Sequence, residues 1–202
     1  MHRCTLRQLL ESYQTSYPEE VLWREQMLAF LSEEPNCFER HHLTGHFTAS
    51  AWLLDKTGTK ALLMHHAKLD MWLNLGGHCD GDDDVLRVAI KEAQEESGIQ
   101  GISALSSDIF DLSIHAIPPF REVPAHVHYD VRFLLQVTTD EAVQQNAESK
   151  ALRWVGNDKL TLPPLDPDTL RLFDKWQAFL LRYANGKCQN TSTLSRSQSR
   201  TV

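Results

Sequence analysis

Apolar residues in the first forty positions recur at helical spacing and predict two helices. The first helix has one apolar face, formed by Leu6, Leu9, Leu10 and Tyr13. The second can begin at Pro18 and end before Pro35, with apolar positions at Val21, Leu22, Met27, Leu28 and Leu31. Because two helices of this length cannot hold a hydrophobic core alone, residues 1–44 are predicted to be a helical extension that caps the protein or forms a dimer.

From residue 45 the pattern changes to short apolar runs separated by turns, with two later segments of helical spacing. The predicted strands are 47–54, 61–64, 109–117, 126–137 and 151–155. The predicted helices are 83–97, which Gly98 closes just past its end, and 168–183. Because strands and helices alternate irregularly, we expect an α/β fold of the mixed α+β kind over residues 45–184, with a mixed sheet covered by helices.

The last stretch of the chain, residues 185–202, is rich in Ser and Thr and holds three basic residues and no acidic ones. It cannot bury an apolar face, which predicts a disordered tail. The whole chain has 27 acidic against 20 basic residues and a net charge of −7. A protein with this balance is not expected to bind nucleic acid stably, because neutralising phosphates needs Lys and Arg.

Length and the remaining composition narrow the class further. With 202 residues, 42% of them hydrophobic, the chain is long enough for one domain with a packed core. No apolar run approaches the roughly 20 residues of a membrane span and no signal sequence is evident, so no membrane partner is expected. The four cysteines are scattered without CxxC pairs, which favours a reduced, cytoplasmic protein without a disulfide framework.

Three glutamates crowd one face of the helix predicted over residues 83–97. Glu92, Glu95 and Glu96 are spaced i, i+3, i+4, and Lys91 can neutralise only part of their charge. They lie beside a predicted apolar stripe made of Leu86, Ala89, Ile90 and Ala93. Such a cluster is commonly a solvated face, but it also suits Mg²⁺ or Mn²⁺, which prefer carboxylate oxygens. The Gly76-Gly77 turn before the helix favours the metal, since glycine lets backbone groups approach metal or phosphate closely.

The segment from Gly77 to Ile99 resembles the Nudix box, whose pattern is G-x5-E-x7-R-E-U-x-E-E-x-G-U, with U a bulky aliphatic residue. The matching positions are Gly77, Glu92, Glu95, Glu96, Gly98 and Ile99. Asp83 replaces the usual Glu, Lys91 replaces the Arg, and Ala93 is small for U. In the family, the Glu and Arg form an ion pair that braces the loop against the helix. Because Lys cannot make a bidentate contact, a looser brace is expected between Asp83 and Lys91.

The resemblance implies a Nudix-like α/β/α sandwich and a Mg²⁺-dependent hydrolase of a small-molecule diphosphate, most often a nucleoside diphosphate derivative. It implies that the metal, Mg²⁺ or Mn²⁺, is bound by Gly77, Glu92, Glu95 and Glu96, and that these glutamates carry the catalysis. The residue that takes the proton from water stays open. Glu92 is the candidate within the box, and the unranked candidates outside it are Glu122, Asp130, Glu141 and Glu148. The family also suggests a homodimer.

Ten histidines are many for a chain of this length, and several lie near the expected site. His126, His128 and Asp130 alternate on one face of a predicted strand, a spacing that can line a substrate pocket or bind a transition metal. We favour the pocket, because short metal motifs often arise by chance. His66 and His78 flank the glycine turn and are further candidates for contact with substrate phosphate.

Two other functions stay open at this point. An isopentenyl-diphosphate isomerase shares the Nudix fold and its diphosphate–metal chemistry, but it protonates carbon with a Cys and a Glu. Cys37 and Cys79 are available for that role, although neither lies in a surrounding that matches. The other alternative is a non-catalytic domain that senses nucleotide. The intact glutamate cluster argues against it, since like charges so close are costly without a bound cation.

Overall fold

The structure, a computed structural model, describes the backbone of residues 2–196 and the side chains of residues 3–182. Its helices are α1 (His2–Ser12), α2 (Pro18–Glu33), α3 (Val85–Ser97) and α4 (Pro167–Arg196), with a short 3-10 turn at Lys159–Thr161. Its strands are β1 (Gly45–Leu54), β2 (Lys60–His66), β3 (Trp72–Leu73), β4 (Leu75–His78), β5 (Ile102–Ala104), β6 (Asp111–Ile117), β7 (His126–Val137) and β8 (Ser149–Gly156). The mixed α/β fold predicted from the sequence is confirmed.

The eight strands form one sheet, with the order β3-β2-β1-β7-β5, in which β4 also pairs with β1, β6 with β7 and β8 with β2. The central strands β1 and β7 run parallel, in register from Gly45 opposite Val127 to Leu54 opposite Gln136. The remaining strand pairs of the described sheet are antiparallel. All ten residues of β1 are buried, as expected of a central strand that is covered on both faces.

Helix α3 packs against β1 and β4. Asp84 caps its first turn by accepting a hydrogen bond from the Arg87 backbone N–H at 3.1 Å, and Gly98 ends it in the left-handed conformation. The buried face consists of Val85, Val88, Ala89, Ala93, Glu96 and Ser97. Leu86 and Ile90, which the sequence placed in the apolar stripe, are only half-buried. The helix is therefore rotated so that the face containing Glu96 packs on the sheet, and this rotation buries one of the three glutamates.

The N-terminal helices contribute directly to the core that surrounds the sheet. Leu6 and Leu10 of α1 and Met27 and Leu31 of α2 are fully buried in the same apolar cluster as Phe47 of β1. Residues Met1–Asp166 accordingly form a single compact unit. The segment 1–44 thus supplies core residues, and its predicted role in a homodimer stays a prediction.

Polar contacts at buried positions hold these helices in place. The Glu20 carboxylate in α2, fully buried, accepts hydrogen bonds from the Tyr13 hydroxyl at 2.8 Å and from the Leu112 backbone N–H of β6 at 3.0 Å. The Arg3 guanidinium donates to the carbonyls of Glu34 and Pro35, just past the end of α2, at 3.0 and 3.1 Å. A buried carboxylate needs such partners, because an unpaired one loses its hydration without compensation.

Helix α4 belongs to a second compact unit, which begins at Pro167. Phe173 and Trp176 lie edge to face on this helix, with ring centroids 5.6 Å apart. The helix was predicted to end at Tyr183 but continues to Arg196, since no proline interrupts it. Residues 185–196 of the predicted disordered tail therefore have helical backbone, and residues 197–202 lie outside the described part of the chain. Within the described residues, no helix is long and apolar enough to cross a membrane.

Candidate active site

The glycine turn of β4 and the second half of α3 form one site. The Gly76 backbone N–H donates a hydrogen bond to Glu96 Oε2 at 2.8 Å. A Cβ atom on Gly77 would overlap the Glu92 carboxylate, and one on Gly76 would overlap Ser50 of β1. Both glycines are therefore needed for the close approach of β4 to its neighbours. This contact places the Gly77 backbone directly against the carboxylate of Glu92.

Glu96 is the most buried of the three glutamates, with 4% of its surface exposed. Burial raises its pKa to about 8, and the negative charges of Glu92, Glu148 and Glu95 act in the same direction. The hydrogen bond from Gly76 lowers the pKa but does not outweigh burial. A carboxyl group in this situation binds a proton at neutral pH unless a cation replaces that proton, which fits a divalent metal site.

Glu92 and Glu95 both lie close to the Lys91 ammonium. Lys91 Nζ lies 3.1 Å from Glu92 Oε1 and 3.3 Å from Glu95 Oε1. The Glu92 side chain is 16% exposed, and burial raises its pKa although Lys91 lowers it. The Glu95 side chain is 58% exposed and faces water. The three glutamates thus run from a buried position to an exposed one along a single turn of helix.

The expected brace between Asp83 and Lys91 is replaced by other contacts. Lys91 reaches the carboxylates one residue and four residues further along its own helix, and Asp83 Oδ2 accepts a hydrogen bond from the Arg3 backbone N–H at 3.1 Å. Asp is one methylene shorter than the family's Glu, and Lys lacks the fork of Arg. The loop before α3 is therefore tied to α1 rather than to the side chain of Lys91.

The structure distinguishes the four acidic residues that the sequence left unranked. Glu148, the residue before β8, raises the pKa of both Glu92 and Glu96 through its negative charge. Glu141 accepts a hydrogen bond from the Lys56 backbone N–H at 2.8 Å, in a turn beyond β1. Glu122 is exposed in the β6–β7 connection. Glu148 is thus the acidic residue outside α3 that acts electrostatically on the glutamate cluster.

Asp130 belongs to a buried polar network on β1, β6 and β7. Its carboxylate accepts hydrogen bonds from Thr48 Oγ1 at 3.0 Å and from Ser50 Oγ at 2.8 Å, and it pairs with Arg132 Nε at 2.6 Å. Arg132 also contacts Asp111 Oδ1 at 3.1 Å. Both oxygens of Asp130 are therefore occupied by the protein itself, and the predicted set of His126, His128 and Asp130 does not form one ligand group.

His126 and His128 instead meet two histidines from other strands. His46 of β1 lies opposite His128 in the parallel register, and His78 ends β4. The ring centroids of His46 and His128 are 4.8 Å apart, those of His78 and His128 5.0 Å, and those of His126 and His128 5.0 Å. We call His46, His78, His126 and His128 the histidine cluster. Sequence reasoning missed His46, because no local motif marks a residue that reaches its partners only through strand pairing.

Three members of the histidine cluster, His46, His78 and His128, favour the neutral imidazole form. Burial is the main cause that lowers the pKa of His46 to about 4 and of His128 to about 2, and it also lowers the pKa of His78. His46 is 2% exposed, and neither of its ring nitrogens has a hydrogen-bond partner among the described residues. Leaving a buried polar group unpaired costs about 1–3 kcal/mol.

The remaining candidates lie at the edge of the site. His66 Nδ1 accepts hydrogen bonds from the backbone N–H groups of Lys68 and Leu69, both at 3.2 Å, so this nitrogen serves the β2–β3 turn. Burial raises the pKa of the Cys37 and Cys79 thiols. Both thiols therefore stay protonated and enclosed, which gives no support to an isomerase that uses one of them.

The family model of the NUDIX domain matches residues 44–176, about two thirds of the chain. The chain belongs to the Nudix family. This confirms the resemblance first seen between Gly77 and Ile99, and it places the protein among the enzymes that hydrolyse pyrophosphate bonds. The matched range also includes the histidine cluster and Glu148.

Solved structures share the Nudix fold at low sequence identity. An Ap4A hydrolase from C. elegans, in a binary complex, has a TM-score of 0.53 and 19% identity, over 67% of this chain and 97% of that one. A MutT protein from Methanosarcina mazei Go1 has a TM-score of 0.51 and 19% identity, over 68% and 96%. No curated protein sequence matches the chain at a significant level.

Proposed function

We propose that this Nudix protein is a Mg²⁺-dependent pyrophosphohydrolase that cleaves a nucleoside diphosphate derivative by attack of water on phosphorus. The observation that carries this proposal is the carboxylate set of Glu92, Glu95 and Glu96 around the Gly76-Gly77 backbone. Clustered oxygens with one lysine to balance them suit a hard divalent cation. When bound, Mg²⁺ would offset the charge of the diphosphate and lower the pKa of a water molecule.

Each residue has a distinct part in this proposal. Glu96, held by the Gly76 N–H, and Glu92, packed on Gly77, would hold the cation from the buried side. Glu95 would hold it from the exposed side, where substrate arrives. Glu92 is the candidate within α3 for taking the proton from water. Glu148 is the candidate outside α3, because its charge acts on the same carboxylates.

The test is an assay with Mg²⁺ and a panel of Ap4A and other dinucleoside polyphosphates, ADP-ribose, NADH, (d)NTPs and isopentenyl diphosphate. Turnover is expected for at least one nucleotide, and it should be lost on removal of Mg²⁺ and in Glu96→Gln. In water labelled with ¹⁸O, the label should appear in a phosphoryl group of the product, which identifies phosphorus as the atom attacked. The matched control is Glu25→Gln, an exposed glutamate of α2, which should retain full activity.

Two results would overturn the proposal in favour of the alternatives. Isomerisation of isopentenyl diphosphate without hydrolysis would indicate the isomerase. Nucleotide binding without turnover of any compound in the panel would indicate a sensing domain. A comparison of Glu148→Gln with Glu122→Gln then tests the proton acceptor: only the first should lower kcat, because Glu122 lies in the exposed β6–β7 connection.

A further inference from the structure

We propose that the histidine cluster binds a divalent transition-metal ion of the zinc class, at a site that is separate from the three glutamates of α3. His46, His78 and His128 would be the first three ligands and His126 the fourth. The inference does not depend on the proposed hydrolase activity, because it rests on different residues and is tested by metal binding alone.

The positions of the ring nitrogens carry the proposal. One nitrogen each from His46, His78 and His128 lies within 4.8 Å of the other two, and His126 Nε2 is 3.2 Å from His128 Nε2. Two nitrogens bound to one tetrahedral zinc ion are about 3.4 Å apart, since each lies about 2.1 Å from the metal. The pair on β7 already has this spacing, and small ring rotations would bring His46 and His78 to it.

The second observation is the state of His46. A histidine that is 98% buried normally has a well-formed hydrogen bond to at least one ring nitrogen. The ring of His46 interacts with the His42 backbone, which raises its pKa, but neither of its nitrogens has a partner at normal hydrogen-bond geometry among the described residues. The rings of His78, His126 and His128 surround it, with centroids 4.8–5.2 Å away. A shared metal ion would give one ring nitrogen of His46 a partner beside those of His78 and His128.

The chemistry of the ligands separates this site from the carboxylates. The histidine cluster offers imidazole nitrogen, the donor that zinc, nickel, cobalt and copper ions prefer, whereas Mg²⁺ prefers oxygen ligands. Asp130, the acidic residue nearest in sequence on β7, is already bound to Ser50, Thr48 and Arg132. The two sites adjoin along β4, where His78 follows Gly77.

The experiment is a titration of the EDTA-stripped and dialysed full chain with Zn²⁺ by calorimetry, and with Co²⁺ as a spectroscopic probe. We expect one tight equivalent that excess Mg²⁺ does not displace, and a Co²⁺ visible spectrum typical of tetrahedral nitrogen ligation. His126→Gln and His46→Leu should each weaken Zn²⁺ binding by at least about tenfold, since loss of even an outer-sphere partner costs that much. His41→Gln, whose side chain is 75% exposed, is the matched control and should bind like the wild type.

Weaker Zn²⁺ binding in the variants can be attributed to the lost ligand only if the variants still fold. His126 is half-exposed and His46→Leu removes an unpartnered polar group, so both variants should fold, which circular dichroism and a metal-free melt will check. The proposal is overturned if the wild type binds no stoichiometric Zn²⁺, or if both histidine variants bind it as well as the wild type. It is also overturned if Glu92→Gln and Glu95→Gln abolish binding while the histidine variants retain it, because the ion would then occupy the carboxylates.

Discussion

The glutamates of α3 and the histidine cluster are neighbours along β4, but they are built in opposite ways. The three glutamates lie within five positions on one helix, carry negative charge and range from buried to exposed. The four histidines come from three strands, burial lowers the pKa of His46, His78 and His128, and they meet because β1 pairs with both β7 and β4. A cluster of residues close together on one helix can be recognised from the sequence. A cluster whose residues lie on different strands can be recognised only once the strand pairing is known.

The support that both regions share is the Asp130 network, and its loss should have the largest effect. Asp130→Ala leaves Arg132 buried without one of its charged partners, a change that typically costs about 3–5 kcal/mol. Urea denaturation measures this loss, with Glu122→Ala, in the exposed β6–β7 connection, as the control that stays near the wild type. Unchanged stability would mean that the network does not hold β1 and β7 together.

Glu96→Gln should separate the functions of the two regions. Gln keeps an acceptor for the Gly76 N–H but loses the charge, so kcat is expected to fall about 10²–10³-fold, equivalent to roughly 3–4 kcal/mol of transition-state stabilisation. Steady-state kinetics at saturating Mg²⁺ measures the fall. Zn²⁺ binding should remain as in the wild type, and a parallel loss of Zn²⁺ affinity would show that the two regions form one site.

The two regions should also respond to pH with opposite signs in the metal-free protein. The pKa of Glu96 is raised from 4.5 to about 8, so its stabilising contribution is complete below pH 4.5 and is lost as the pH rises through 8. The pKa of His46 is lowered from 6.5 to about 4, so its contribution is present above pH 6.5 and is lost as the pH falls through 4. Each contribution is on the order of 2 kcal/mol or more.

Chemical denaturation in EDTA across pH 4–9 measures how the free energy of unfolding changes with pH. Glu96→Gln should raise stability at pH 8.5 relative to the wild type and have little effect near pH 4.5. His46→Leu should flatten the acid side of the profile and leave the alkaline side unchanged. Equal effects of either variant at both ends of the range would contradict the assignment.

Lys91→Ala should have the smallest effect. The Lys91 side chain is 55% exposed and pairs only with carboxylates of its own helix, so stability should change by less than about 1 kcal/mol. Thermal melts of Lys91→Ala and of Lys150→Ala, another exposed lysine with an acidic partner, provide the comparison. If Lys91→Ala alone lowered the free energy of unfolding by several kcal/mol, the result would support the Asp83–Lys91 brace that the resemblance implied.

Much of the fold follows from local patterns. The N-terminal helices, the five predicted strands, and α3 with Gly98 at its end are confirmed, because spacing and glycine position are local properties. The short strands β3, β4 and β5 were not predicted, and Gly76-Gly77, expected to form a turn, lies in β4. The rotation of α3 was harder to predict. Leu86 and Ile90 match the apolar pattern as well as Val85 and Val88 do, and only the position of β1 and β4 decides which pair is buried.

In the candidate site, too, residues close in sequence could be predicted and contacts between distant residues could not. Glu92, Glu95 and Glu96 could be found from spacing alone, and their roles stay a prediction. His46 and the electrostatic influence of Glu148 on Glu96 could not be found, because each involves residues more than fifty positions apart. The pairing of Asp83 with Arg3 was equally invisible, since it joins the loop before α3 to a helix 80 residues earlier.

The Glu20 carboxylate has a consequence for the order in which the chain matures. During synthesis α2 leaves the ribosome long before β6, yet the backbone N–H that Glu20 accepts from belongs to Leu112, 92 residues further on. Until β6 is made, this hydrogen bond cannot form, and the carboxylate has only partners from its own end of the chain, such as the Tyr13 hydroxyl. The first helices to be synthesised therefore complete their buried contacts only after more than half of the chain has followed them.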